Sequence, residues 1–402
     1  MINDKKIIII GYEINKKNII KLFALILIIF LIYIFENYNF YQIILKKKYA
    51  IEFIKNFLLN CLNNNNNDKQ SYASHIIYNN SIPHITVVIP LYNSQNSIRI
   101  SIRSIQIQNF KNIEMILVND NSKDETLNII NRMKINDTRI KIINNKKNMG
   151  ILYSRSIGAL NAKGKYIFCL DNDDLFYDEH LFDNIYKISE SGDYDIVEFK
   201  SFYVKKYSPK LKLGEIKDSP FNQHPNNLTL SQPELGLFPI SRKNHYYSND
   251  YHLWGKSIKS KIYKKALNSL GEKKFSFYNC WTEDISILFI IFNIAQTFIF
   301  VEIYGIIHID FKKSTTYVLP CTKKLMSELF LLDILLEFIK DPDVNKLYLV
   351  EKLLSILKKY ISYASNEHKI YLNLLITKIL KIKTISKDEK KILNNYIRII
   401  NK

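Results

Sequence analysis

The chain reads as an α/β protein with a mixed, mainly parallel sheet flanked by helices, an N-terminal membrane anchor and a C-terminal helical extension. Three observations predict this. From residue 85 onward, short apolar runs alternate with segments of helical spacing; residues 19–35 are almost wholly apolar; and amphipathic patterns fill residues 325–400. Strands alternating with helices of about 10 to 15 residues imply parallel pairing with right-handed crossovers.

The elements follow in order. ITVVI (85–89) is a short apolar strand, and PLYNS after it supplies turn residues. Ile98, Ile102 and Ile105 then recur at helical spacing. IEMILV (113–118) is a second strand, followed by a helix to Met133 for which Ser122 is an N-cap candidate. RIKII (139–143), a helix over 150–162, KYIFCL (165–170) and a strand over 194–202 complete the series. ISILFIIFNIAQTFIFV (285–301) carries polar residues and follows Glu283 and Asp284, so it reads as a buried helix and then a strand, not a second span.

The anchor is expected in IIKLFALILIIFLIYIF (19–35), where Lys21 lies near enough to the end to snorkel. Its uninterrupted part, 22–35, is shorter than the about 18 residues of a confident span. A cleaved signal peptide is therefore the rival, but Glu36, Asn37, Tyr38 and Asn39 offer no small-residue cleavage site. The expectation is a single-pass type II protein of the secretory pathway, Golgi or ER, with cytoplasmic-facing membrane association as the alternative. An asparagine run at 63–67 reads as a flexible spacer.

Composition narrows the function. With 402 residues and 47% hydrophobic content, the chain can bury a sizeable core. The formal charge is +19, but the lysines are spread along the chain and no nucleic-acid-binding motif accompanies them, so no nucleic-acid partner is expected. Cys61, Cys169, Cys280 and Cys321 form no CxxC pair, which argues against a disulfide framework, a zinc site or a redox centre. Cys169 lies in an apolar run and reads as a buried small hydrophobe.

In parallel sheets, ligands bind beyond the carboxyl ends of the strands. There the sequence places Tyr92 and Asn93, Asp120 and Asn121, and Asp171 and Asp173. Neither GxGxxG nor GxxxxGK[ST] is present, which disfavours a dinucleotide dehydrogenase and a P-loop NTPase. Asp171 and Asp173 offer hard oxygen ligands for Mg²⁺ or Mn²⁺. DNDD (171–174) alone also fits an acidic turn that caps a helix, with Asp174 as the helix-start residue, but Asp120 on the same edge favours a site. Glu283 and Asp284 also suit the N-terminal dipole of the helix they open.

These residues resemble family 2 glycosyltransferases of the GT-A fold, over about residues 85–317. The resemblance rests on the ordered set ITVVIPLYNSQNSI, ILVNDNSKDET, NMGILYSRSIGALNAKGKYIFCLDNDD with its DxD motif, LWGKSIKSKIYKKA and WTEDISILF. It implies a nucleotide-sugar site built from Pro90, Tyr92, Asn93, Asp120, Arg155, Asp171 and Asn172, with Asp120 at the uracil and Asp171 near the ribose. It implies Mn²⁺ or Mg²⁺ on Asp173, with His308 near the diphosphate as a second metal-side candidate or a satisfied histidine. Asp284 resembles the general base. Glu283 and Trp254 fall on the acceptor side, although core packing is equally open to Trp254. Ser156 departs from the family's usual Asn after the Arg.

The implied reaction is inverting transfer of one sugar, of hexosyl or N-acetylhexosaminyl type, from a UDP-sugar to a hydroxyl of a glycan or glycoconjugate. No QxxRW motif of the processive members is present. The implied organisation is a cytoplasmic tail (1–18), signal anchor (19–38), stem (39–82), catalytic domain (83–320, divided into a nucleotide-sugar half at 83–205 and an acceptor half at 206–320) and helical extension (321–402). The alternative is a catalytically silent, membrane-anchored protein that keeps the fold to bind glycan or nucleotide.

Overall fold

The computed structural model describes residues 7–9, 12–14, 42–57, 82–204, 212, 215–219, 224, 227–231, 252–275, 282–309, 320–339 and 346–401. After a short antiparallel pair, Ile7–Ile9 with Tyr12–Ile14, comes helix α1 over residues 42–57. The main body then runs β1 (Ile85–Leu91), α2 (Ile98–Gln106), β2 (Ile113–Asn119), α3 (Thr126–Asn136), β3 (Ile140–Asn144), α4 (Ile151–Asn161) and β4 (Tyr166–Cys169). It continues through β5 (Leu175–Phe176), α5 (Leu181–Ser191), β6 (Ile196–Val204), β7 (Ile216–Asp218), β8 (Thr229–Ser231), β9 (Lys256–Lys259), α6 (Ser260–Leu270), α7 (Glu272–Phe275), α8 (Glu283–Ile294) and β10 (Thr297–Ile309). Helices α9 (Cys321–Phe338), α10 (Lys346–Tyr360), α11 (Asn366–Leu380) and α12 (Lys387–Ile400) end it.

One ten-stranded sheet organises these elements in the order β8-β10-β6-β9-β4-β1-β2-β3, with β5 also on β10 and β7 on β6. The run β4-β1-β2-β3 is parallel. Strands β1 and β2 are buried along their whole length because helices cover both faces. Beyond β4 the expected parallel character gives way: β9 inserts antiparallel between β4 and β6, and β6 then pairs parallel with β10. Strand β1 has β2 on one side and β4 on the other, so the strand order reverses there and leaves a crevice at their carboxyl ends.

Alternate residues of the strands feed two cores. Val88, Val118, Ile167 and Cys169 join the core shared with α6 and α8, while Val87, Ile89, Leu117 and Phe168 join the core beneath α2 and α5. A Cβ on Gly158 would meet Val88 Cγ1 at 2.4 Å, so glycine lets α4 lie close on β1. The C-terminal helices share the first core: Leu329 and Leu332 of α9 bury in the same cluster as Ile287 and Phe289 of α8. Ser365 and Ser386 start α11 and α12 with reciprocal capping boxes.

Within the stretch expected as a stem, α1 packs on the sheet. Ala50 and Ile54 bury with Leu175, Phe202 and Ile307, Phe53 meets Tyr177 edge-on, and Lys47 lies 3.3 Å from Asp218. Ser122 is no N-cap; α3 begins at Thr126, whose N–H donates to Asp124 Oδ1 at 3.0 Å.

The membrane anchor, the membrane partner and the single-pass placement require correction. Among the described residues no helix is long and apolar enough to cross a membrane. Segment 19–38, which carried that expectation, lies outside the described residues, as does the asparagine run at 63–67.

Candidate active site

The loops after β1 and β2 are joined residue to residue. Asn93 N–H donates to Ser122 Oγ at 3.0 Å, Lys123 N–H to Asn93 Oδ1 at 2.9 Å, Ser94 N–H to Thr126 Oγ1 at 2.7 Å and Gln95 N–H to Asp124 Oδ2 at 3.0 Å. Asn93 and Asn121 adopt left-handed backbone, with φ of 50° and 58°, a conformation asparagine accepts more readily than most side chains. Tyr92, beside these cross-loop bonds, is 48% exposed. Asn172 reaches across from the β4 end and donates to Pro90 O at 3.4 Å.

Asp120 lies deeper, only 3% exposed. Its carboxylate accepts from Asn145 Nδ2, Met149 N and Gly150 N, each at 2.8 Å. Gly150 sits at φ 89° with Asn148 Oδ1 also accepting its N–H at 3.1 Å. Asp120 therefore shapes the loop that leads into α4, a role its position in the sequence did not reveal.

Helix α4 delivers Arg155 to the centre of the site, and the residue is 2% exposed. Its Nη2 donates to Asp171 Oδ1 at 2.8 Å, its Nη1 pairs with Asp284 Oδ1 and lies 3.9 Å from Glu283 Oε1. Burial works against the charge, but Asp284 and Asp171 outweigh it and hold the pKa well above the ordinary arginine value. A buried guanidinium persists only with such partners. Arg155 thus joins the end of β4 to the start of α8, 129 residues later. Asp284 Oδ2 also accepts from Leu253 N at 3.2 Å. For Glu283, burial and the adjacent Asp284 push the carboxyl up to about 8 against the pull of Arg155.

The three aspartates after β4 separate by role. Asp171 faces Arg155. Asp174 starts no helix, since α5 begins at Leu181; it is fully buried and accepts from His308 Nδ1 at 2.9 Å and Ile309 N at 3.0 Å. Asp173 lies between them, its carboxyl pushed up to about 8 by burial and then by Asp174 and Asp171. Burial disfavours the imidazolium of His308, but Asp174 and its hydrogen bond prevail and raise the pKa to about 9. A carboxylate behind one ring nitrogen orients the other toward a metal or an anion.

Among the described residues, no group of three or more His, Cys, Asp or Glu side chains is arranged to hold a metal alone. A Mg²⁺-type ion on a substrate diphosphate needs only one or two carboxylates, with phosphate oxygens and water completing its shell. Asp173, crowded by Asp174 and Asp171 more than His308 relieves it, fits that requirement.

Trp254 is 2% exposed. Its ring stacks on His308, with centroids 5.2 Å apart and planes 14° apart, and on His252, at 4.5 Å and 15°. It therefore packs inside the site and does not offer a face to a sugar.

Residues 86–243 match the model of glycosyl transferase family 2. An uncharacterised glycosyltransferase of Rickettsia prowazekii is 32% identical over 200 residues, covering 45% of this chain and 61% of the relative. One from Haemophilus influenzae is 36% identical over 101 residues, covering 25% and 40%. The chain thus spans less than two thirds of either relative. The crystal structure of S. aureus TarS 1–349 in complex with UDP superposes with a TM-score of 0.53 at 15% identity, covering 79% of this chain and 87% of that one, and it shares the fold. Over residues 86–243 the chain is thus similar to glycosyltransferase family 2, and its parallel strands carry the DxD turn to the same arginine that the later Glu-Asp pair meets.

Proposed function

We propose that this protein is a metal-dependent inverting glycosyltransferase that moves one sugar from a nucleotide-diphospho-sugar, a UDP-sugar first among them, to a hydroxyl of a glycan or glycoconjugate. The observation that carries the reading is the Arg155 junction, which holds Asp171 of the DxD turn and Asp284 within reach of one guanidinium. Inverting transfer needs a carboxylate that faces the acceptor beside others that face the diphosphate, and this junction supplies the adjacency. The UDP in the S. aureus TarS structure supports uridine as the first base to test.

In this mechanism Tyr92, Asn93 and the Pro90 backbone line the base pocket, and Asp120 holds the 145–150 loop that borders it. Asp171 and Asn172 meet the ribose. Asp173 would hold Mn²⁺ or Mg²⁺, with His308 Nε2 as the neighbouring donor on the diphosphate side; when bound, the ion supplies positive charge against the leaving diphosphate. Asp284 takes the proton of the acceptor hydroxyl, and Arg155 and Leu253 N–H fix which way its carboxylate points. Glu283 lies beside it, on the acceptor side.

The test is hydrolysis of a panel of UDP- and GDP-sugars by the full chain, with and without Mn²⁺. Metal-dependent release of nucleotide from one or a few donors supports the reading. No turnover with any donor, together with no nucleotide-induced thermal shift, contradicts it.

A further inference from the structure

The turn over residues 252–255 touches both ends of the site with consecutive residues. Leu253 N–H donates to Asp284 Oδ2 at 3.2 Å, and Trp254 stacks on His308, which Asp174 holds from behind. Gly255 follows at φ 74°, in the left-handed region that favours glycine, and its carbonyl accepts from Phe199 N at 2.9 Å. Lys256 then folds back over the turn: its Nζ donates to His252 O at 2.9 Å and lies 3.5 Å from Glu198 Oε2.

The register explains this ion pair. Lys256 on β9 stands directly opposite Glu198 on β6, and both side chains are wholly buried. His224 Nε2 approaches Glu198 Oε1 from another side, at 3.3 Å. Two apolar residues in these cross-strand positions would avoid the desolvation of two charges. The pair is therefore a poor device for stability alone. What it adds is a fixed ammonium donor at the carbonyl that opens the turn.

We propose that Lys256, oriented by Glu198, is a positioning residue that closes the 252–255 turn, so that Leu253 N–H aligns the base Asp284 while Trp254 holds His308. Its catalytic meaning rests on the glycosyltransferase reading above; the structural claim does not. Release of the turn misaligns the acceptor-side carboxylate and leaves the Tyr92 and Asp120 loops, which bind the nucleotide, untouched. His308 keeps its hydrogen bond to Asp174, so the effect falls more on turnover than on donor binding.

The experiment uses the full chain with Trp281→Phe, which leaves Trp254 as its one tryptophan. Lys256→Met is compared with the double variant Lys256→Met/Glu198→Gln, which removes both buried charges and so keeps the fold if the single variant does not. Thermal melting, Trp254 emission, affinity for UDP with Mn²⁺, and kcat and KM for the nucleotide sugar found by the hydrolysis panel are measured. The double variant is expected to melt cooperatively, to bind UDP within about threefold of the parent, and to lose kcat by about 10- to 100-fold, as misplacement by an ångström does. Its Trp254 emission shifts to the red. Parental kcat and emission in the double variant would overturn the proposal, since the pair would then only balance charge; so would a loss of UDP affinity as large as the loss of kcat. If the parent turns over no donor, the glycosyltransferase reading fails, while the emission and UDP results still decide whether Lys256 holds the turn.

Discussion

Arg155 and Asp284 form a direct ion pair across 129 residues of sequence, and the other arm of the same guanidinium holds Asp171 at 2.8 Å. Removal of the arginine leaves three acidic groups, Asp171, Glu283 and Asp284, facing one another in a partly buried site. Arg155→Met is expected to destabilise the fold by about 3 kcal/mol, the scale of a broken buried pair, and to abolish turnover. Arg155→Lys keeps one charge but not the fork, so it should recover much of the melting temperature and little activity. Equal recovery of both would show that the guanidinium geometry is irrelevant.

Asp173 costs the folded state stability because burial and two neighbouring aspartates oppose its charge. Asp173→Asn should therefore raise stability, by about 1 kcal/mol as replacements of strained active-site groups do, while it removes the Mn²⁺ response of turnover. Differential scanning calorimetry and a metal titration check the two effects separately.

Glu283 gives the pH dependence a sign. Its carboxyl rises from 4.5 to about 8 on folding, so the native chain keeps a proton that the unfolded chain releases. The resulting stability is fully present below about pH 4.5 and is lost as pH rises through 8. Melting temperature followed from pH 5 to pH 9 should fall less steeply in Glu283→Gln than in the parent chain. A parallel decline in both would show that Glu283 does not contribute to the pH dependence.

Burial pushes the Cys169 thiol up to about 12 against the nearby Arg155. At pH 8 the native protein should leave Cys169 unmodified by iodoacetamide for hours, and unfolding should expose it to rapid alkylation. Peptide mass mapping of both states reads the difference.

The crevice edge was legible because ITVVI, IEMILV and KYIFCL are short apolar runs bounded by turn residues, the mark of buried strands, and their ends fall where the topology puts a crevice. Strand β9, inserted antiparallel between β4 and β6, was not. Strand β9 reads KSIK, yet both lysines are buried, Lys256 against Glu198 and Lys259 against Asp193 and Asp195. Only distant partners make such a strand possible, and no local pattern reveals them. The same limit hid the division of labour in DNDD: identical side chains at Asp171, Asp173 and Asp174 are distinguished by Arg155 and His308, which lie elsewhere in the chain. Helix α1 was hidden differently, because a polar spacer follows it and its apolar face is short.

As the proposed base, Asp284 completes a site whose donor side lies across Arg155. Asp284→Asn preserves the shape and removes the proton acceptor. UDP binding with Mn²⁺, measured by calorimetry beside single-turnover transfer, separates the two sides. UDP affinity is expected within about threefold of the parent, with transfer reduced by about 10²- to 10⁴-fold, the range of a lost general base. Transfer at the parental rate, or loss of UDP binding in step with transfer, would contradict that role for Asp284.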